Sequence, residues 1–163
     1  VVTGVQTCAL PICGYISGAS NTNAAYKTNF LTSNTSAVTG ANLTVNKRMA
    51  GGIVKIDDFY GNNAGYVCGG YTSTYSATTD EVDFVTDTTA AKTSMNLNTA
   101  RFSPASISFV SKGTVFGGGV SGGTQTATAE GLQFATETTH AFTTKSDLSL
   151  ARNGIGACCG GAW

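Results

Sequence analysis

Thr114-Val115-Phe116-Gly117-Gly118-Gly119, followed by Glu130-Gly131-Leu132-Gln133-Phe134 and closing on Leu150-Ala151-Arg152, is the stretch that decides the fold. Two earlier parts of the chain carry the same order. In the middle copy Gly65-Tyr66-Val67-Cys68-Gly69-Gly70 stands for 113–118, and Glu81-Val82-Asp83-Phe84 stands against 131–134. Phe84-Val85-Thr86-Asp87-Thr88-Thr89 matches Phe134-Ala135-Thr136-Glu137-Thr138-Thr139, and 97–101 matches 148–152. The first copy is worn: Gly14-Tyr15-Ile16-Ser17-Gly18, then Phe30, then Leu43 with Lys47-Arg48. Phe30, Phe84 and Phe134 recur at offsets of about 54 and 50 residues, a period typical of solenoids, propellers and arrays.

Within each copy the pattern is that of strands. Ile107 and Phe109 alternate with serines, and Leu132 and Phe134 with Gly131 and Gln133, the period-2 mark of a half-buried strand. Glycine-bearing turns at 61–65 and 111–113 predict hairpins joining 53–60 to 66–69 and 105–110 to 114–117. Each period then holds about four strands, the content of one propeller blade.

With those residues in place the chain resembles kelch-type repeats. The glycine doublets are Gly69-Gly70 and Gly117-Gly118, the acids Glu81 (or Asp80) and Glu130, the aromatics Phe84 and Phe134, and the closures Arg101 and Arg152. The tryptophan of the family pattern is missing from its places at 90–93 and 140–142, so the likeness is to the Thr/Ser/Gly-rich, kelch-like propellers of phage and bacterial structural proteins. The resemblance covers about Gly14 to Arg152. It implies an all-β fold: a partial β-propeller of about three blades of four antiparallel strands, with repeats at about 14–52, 53–104 and 105–163.

Residues 1–13 are set apart. Val2 to Ile12 reads as the in-frame translation of a short-read sequencing adapter, so the expectation is that 1–13 are an artefact and that 14–163 are a propeller fragment whose remaining blades lie elsewhere.

Composition narrows the function classes. A net charge of zero gives no basic surplus to neutralise phosphates, which argues against nucleic acid as a partner. No run of eighteen or more apolar residues is present to insert in a membrane as a helix. The resemblance to phage and bacterial structural proteins implies an extracellular or virion-surface location rather than the cytoplasm. Asn34 and Asn42 begin Asn-x-Ser/Thr triplets, at a frequency that chance supplies in a chain so rich in these residues.

No motif carries convincing catalytic chemistry. Gly117, Gly119 and Gly122 have the form G-x-G-x-x-G, but Thr124 to Thr128 is no helix N-terminus for a pyrophosphate, so no cofactor is expected. Asp57-Asp58 lacks the spaced acids of a calcium loop. Cys68 takes the slot of Ser17 and Phe116, vicinal Cys158-Cys159 reads as two thiols, and the single histidine, His140, has no partner for a metal or a relay. Arg101 and Arg152 recur as structural residues do, with Glu81 and Glu130 as candidate partners on neighbouring blades. The remaining surface is loops, the longest being 72–79 and 120–128, with Tyr71 and Tyr75 on the first as candidate contacts for a protein or glycan. The expected function is a non-enzymatic binding or structural module, of phage-tail type. The alternative is a piece of a propeller-class enzyme, galactose-oxidase-like or sugar-active, with its catalytic residues in other blades.

Overall fold

A computed structural model describes residues 7–11, 15–16, 20–29, 32–55, 64–142 and 147–157. The chain is all-β, built of antiparallel sheets, with 3-10 turns as its helical elements among the described residues. Strands β1 (Thr7–Pro11), β2 (Tyr15–Ile16), β3 (Ser20–Asn21), β4 (Ala25–Asn29) and β5 (Asn34–Ala37) come first. They form a three-stranded sheet in the order β1-β4-β5 and a small β2-β3 ribbon. The second sheet runs in chain order through β6 (Gly51–Lys55), β7 (Ala64–Cys68), β8 (Thr79–Asp83) and β9 (Thr88–Ala91). The third unit holds β10 (Ala105–Ser108), β11 (Lys112–Phe116), a ribbon of β12 (Gly119–Val120) and β13 (Thr124–Gln125), then β14 (Ala129–Gln133) and β15 (Thr138–Ala141). Its sheet order is β10-β11-β14-β15.

The hairpins expected at 53–69 and 105–117 are both present, as β6 with β7 and β10 with β11. The first copy differs from its reading. Tyr15–Ile16 is a strand, but it pairs with Ser20–Asn21, and the strand beside β4 is Thr7–Pro11, inside the segment expected to lie apart from the fold. The connection from Pro11 to Ala25 is comparable in length with those from Cys68 to Thr79 and from Phe116 to Ala129. A connection starting at Ile16 would be shorter than either. Gly14, Ser17, Gly18, Phe30, Asp57, Asp58, Cys158 and Cys159 lie outside the described residues.

The units repeat bond by bond. Leu43, Leu97 and Leu148 donate their N–H to the carbonyls of Asn23, Ala77 and Ala127. The side chains of Asn42, Asn96 and Asp147 accept from the first N–H of the third strand of each unit, at Ala25, Thr79 and Ala129. The backbone two residues beyond each closing cation is left-handed, at Met49 (φ 55°), Ser103 (φ 49°) and Gly154 (φ 61°). These three positions bond to one another in series, Ser103 N–H to Met49 and Gly154 N–H to Ser103.

The sheets stack face to face, which explains why every residue of β7 is buried. On a strand, alternate side chains point to opposite faces. Val67 packs with Val82 towards Ala25, Ala41 and Leu43 of the first unit. Tyr66 and Cys68 pack with Ile53, Met95 and Leu97 against Val115, Leu132 and Phe134 of the third. Tyr66 and Phe134 stack with ring centroids 5.4 Å apart and planes 8° from parallel. The approach is close enough that a Cβ on Gly113 would sit 2.5 Å from Ile53 Cγ2, so the interface admits only glycine there without repacking.

Candidate functional site

Two features recur or gather polar chemistry: a cation socket between successive sheets, and an aromatic surface formed by the loops that follow the glycine doublets.

The socket is best developed at Arg101, which is fully buried. A guanidinium has five N–H groups, and burial demands an acceptor for each. Nε–H reaches Thr99 O at 3.3 Å, Nη1 reaches Gly117 O and Thr128 O at 2.9 Å each, and Nη2 reaches Thr128 Oγ1 at 3.1 Å. The fifth donor meets the Glu130 carboxylate. Glu130 also accepts from Asn98 N–H at 2.5 Å and Thr99 N–H at 3.2 Å. Desolvation holds the Arg101 guanidinium below its ordinary pKa, against the opposing pull of Glu130.

One unit earlier the same socket holds a lysine. Lys47 Nζ lies 3.2 Å from Asp80 Oδ2 and 3.1 Å from Thr78 Oγ1, with lysine and aspartate both fully buried. Thr44 Oγ1 completes the site by donating to Asp80 Oδ1 at 2.5 Å. In each case a cation closing one unit enters a Thr-x-acid at the head of the next unit's third strand. The acid of the middle unit is therefore Asp80 and not Glu81. The two are neighbours on β8 and point to opposite faces. Glu81 looks the other way, accepting from the Tyr66 hydroxyl at 3.0 Å and pairing with Lys92 at 2.8 Å.

The glycine doublets seat these closures. Gly69 (φ 68°) and Gly117 (φ 65°) are left-handed, and a Cβ on either would approach the Arg101 or Arg152 carbonyl to 2.8 Å. Gly70 and Gly118 donate to those same carbonyls at 2.8 Å. Phe84 lies against Gly65, where a Cβ would come within 2.8 Å of its ring, and Phe134 is the partner of Tyr66. Arg152 keeps the backbone bonds of Arg101 but is exposed.

The loop surface gathers Tyr71 and Tyr75 with Phe102. Tyr75 stacks on Phe102 at 5.3 Å, and Tyr71 meets the edges of Tyr75 and Phe102 at 5.9 and 6.3 Å. The Arg48 guanidinium lies 5.0 Å from the Tyr71 centroid. Beside the rings is a cavity of about 390 Å³ lined by Tyr71, Ser73, Thr74, Tyr75, Ala100 and Ser121, so the two long loops named from the sequence meet there. Asn21 Nδ2 braces the first of them through the Tyr71 and Thr72 carbonyls at 3.2 and 2.5 Å. Arg48 is named in the sequence only as part of the Lys47-Arg48 closure, and Phe102 is not marked there at all. They occupy equivalent places one residue after the closing cations, a signal visible only once Lys47 is aligned with Arg101.

Other candidates have structural surroundings. The Cys68 thiol is fully buried, and burial pushes it up to about 12. His140 meets Phe142 edge-on at 4.9 Å, over Gly131. Gly117 and Gly119 lead into the β12-β13 ribbon through a 3-10 turn containing Gly122, so an anion held by a long helix N-terminus has no place there. Among the described residues no group of three or more His, Cys, Asp or Glu could hold a metal, and no helix is long and apolar enough to cross a membrane. Neither a scan against protein-family models nor a search of curated proteins finds a match to this chain.

Proposed function

We propose that the chain is part of a kelch-like β-propeller of the phage or bacterial structural type, its three units being blades, and that it serves as a non-enzymatic binding module. The sheet order, the face-to-face stacking and the cation sockets support the blade reading. A glycan, met at a virion or cell surface, is the ligand class that the loop surface fits. The observation that carries this is the Tyr71-Tyr75-Phe102 cluster beside Ser73, Thr74 and Ser121. Aromatic faces stack on the C–H faces of sugars, and their O–H tips and the neighbouring hydroxyls offer hydrogen bonds at the rim. The rings are held by one another and by Phe102, so little side-chain entropy is lost on binding.

A glycan array probed with the purified chain, then repeated with Tyr75→Ala and Tyr71→Ala, tests the reading. Binding to a defined set of sugars, lost in both variants, is the expected result. Binding that survives both substitutions, or turnover of a bound sugar, overturns it.

A further inference from the structure

The third unit closes on a socket cation, Arg152, that meets no carboxylate among the described residues. Arg152 repeats Arg101 in its backbone: its carbonyl accepts from Gly118 as that of Arg101 accepts from Gly70, both at 2.8 Å. Its Nε–H reaches Leu150 O at 3.3 Å, as that of Arg101 reaches Thr99 O. Among the described residues Leu150 supplies the only acceptor of its guanidinium, and no carboxylate stands where Glu130 stands for Arg101.

The apolar face beside it is repeated too. Ile107, Phe116 and Leu148 occupy the places of Ile53, Cys68 and Leu97, which are 2%, 0% and 4% exposed beneath the third unit. In the third unit they line an open cavity of about 550 Å³ with Thr114 and Phe142.

We propose that this face, keyed by Arg152, is a docking surface for a further four-stranded antiparallel unit carrying Thr-x-Asp or Thr-x-Glu at the head of its third strand. The proposal rests on the repeat reading above and is independent of what the loops bind. Charge complementarity chooses the occupant. Arg101 and Lys47 each enter such a triplet, and the two triplets of this chain, Thr78-x-Asp80 and Thr128-x-Glu130, are both filled. The first unit of a second copy does not supply one, since Ala24 and Tyr26 stand in the places of Thr78 and Asp80. Wild-type chains are thus mismatched head to tail, by an arginine against a tyrosine.

The mismatch supplies the test. Ala24→Thr with Tyr26→Glu installs the triplet on the exposed side of the first sheet of the full chain. Sedimentation velocity should show head-to-tail association with Kd at least about tenfold below that of the wild type, the equivalent of one modest ion-pair gain. Adding Arg152→Glu should return association to the wild-type level. The reversed pair guards against a variant that fails to fold: Tyr26→Arg chains mixed with Arg152→Glu chains should associate, and neither should do so alone. The proposal is overturned if the triplet variant, folded by circular dichroism, associates no more tightly than wild type. Association that survives Arg152→Glu, or a reversed pair that does not associate, overturns it equally. None of these outcomes depends on the glycan array, so the two readings fail separately.

Discussion

Replacing Glu130 by alanine should cost the fold a large part of its stability. Arg101 is fully buried and Glu130 is 2% exposed, so deletion of the carboxylate leaves an uncompensated guanidinium in the interior. Breaking a buried pair in this way costs about 3–5 kcal/mol. The same deletion strips the acceptor from Asn98 N–H and Thr99 N–H, each worth about 1 kcal/mol or more if left dry. Against a typical total of about 5–15 kcal/mol for a domain, the sum approaches unfolding. Glu130→Gln keeps an acceptor for the backbone and removes only the charge, so it should fall between alanine and wild type. Arg101→Met with Glu130→Gln removes both charges and should recover part of the loss, because a buried pair is worth far less in total than its broken half suggests. Urea denaturation of the wild type, Arg101→Met, Glu130→Gln and the double variant forms a double-mutant cycle, with Glu130→Ala measured beside it. The half-buried, solvent-reached pair Lys27–Asp87, 2.8 Å apart and about a quarter to a third accessible on each side, is the control, at about 1 kcal/mol or less. If Glu130→Ala costs no more than that control, the socket is not the structural joint argued here.

Gly69→Ala should lower the melting temperature more than Gly122→Ala. Both residues are left-handed, at φ 68° and 83°, which costs a side chain about 1–2 kcal/mol, but only at Gly69 does the new Cβ also meet a backbone carbonyl, at 2.8 Å. Equal shifts in differential scanning fluorimetry would remove the steric part of the explanation. The Cys68 thiol, pushed up to about 12 by burial, should resist iodoacetamide at pH 8 and react once denaturant is added, read on its own tryptic peptide by mass spectrometry. Labelling in the native state at the denatured rate would contradict the packing described. Asp83 accepts from Val85 N–H at 2.7 Å and Thr86 N–H at 3.1 Å, and these bonds hold its carboxyl below the usual range. A depressed folded pKa adds stability above the unfolded value of about 4, and that stability is lost as pH falls through the folded value. Asp83→Asn should therefore flatten the acid side of the stability profile slightly. An unchanged slope would argue against the turn as drawn.

The parts of this architecture legible in the sequence are those in which the same physical demand is made more than once. Gly69 and Gly117 recur because each must be left-handed beneath a carbonyl, and Leu97 and Leu148 because each fills the same gap beside the doublet. Arg101 and Arg152 recur as the closing cation. The choice of acid shows where such reading stops. Aligning Phe84 with Phe134 places Asp80 opposite Glu130, whereas matching by residue type pairs Glu81 with Glu130. What separates the two is the parity of the strand: Asp80 shares a face with Val82, which is buried against the first unit, and Glu81 shares one with Thr79. Lys47 was legible as a closure but not as the occupant of a buried socket, because a lysine is normally kept in water and only a partner from the next unit reverses that preference. Phe102 is a harder case. Arg48 holds its place one unit earlier, so no repetition marks it, and its contact with Tyr71 and Tyr75 exists only because the closing segment of one unit runs beside the loop following its own doublet.

The sockets also explain how a chain with so few charges fixes the stacking of its sheets. The facing surfaces are apolar, Ile53, Tyr66, Met95 and Leu97 against Val115, Leu132 and Phe134, and burial of apolar area is non-directional, so by itself it favours contact more than any one register. A displacement of one strand position would turn Asp80 or Glu130 away from its cation and leave two charges buried apart, the same large penalty that single deletion incurs. Burial of apolar area holds the sheets together, while the cation in its Thr-x-acid cradle decides which residue faces which. That division of labour accounts for the pairs lying in the dry interface, where a wrong register is expensive, and for the more exposed pairs Lys27–Asp87 and Lys92–Glu137 lying where it is not.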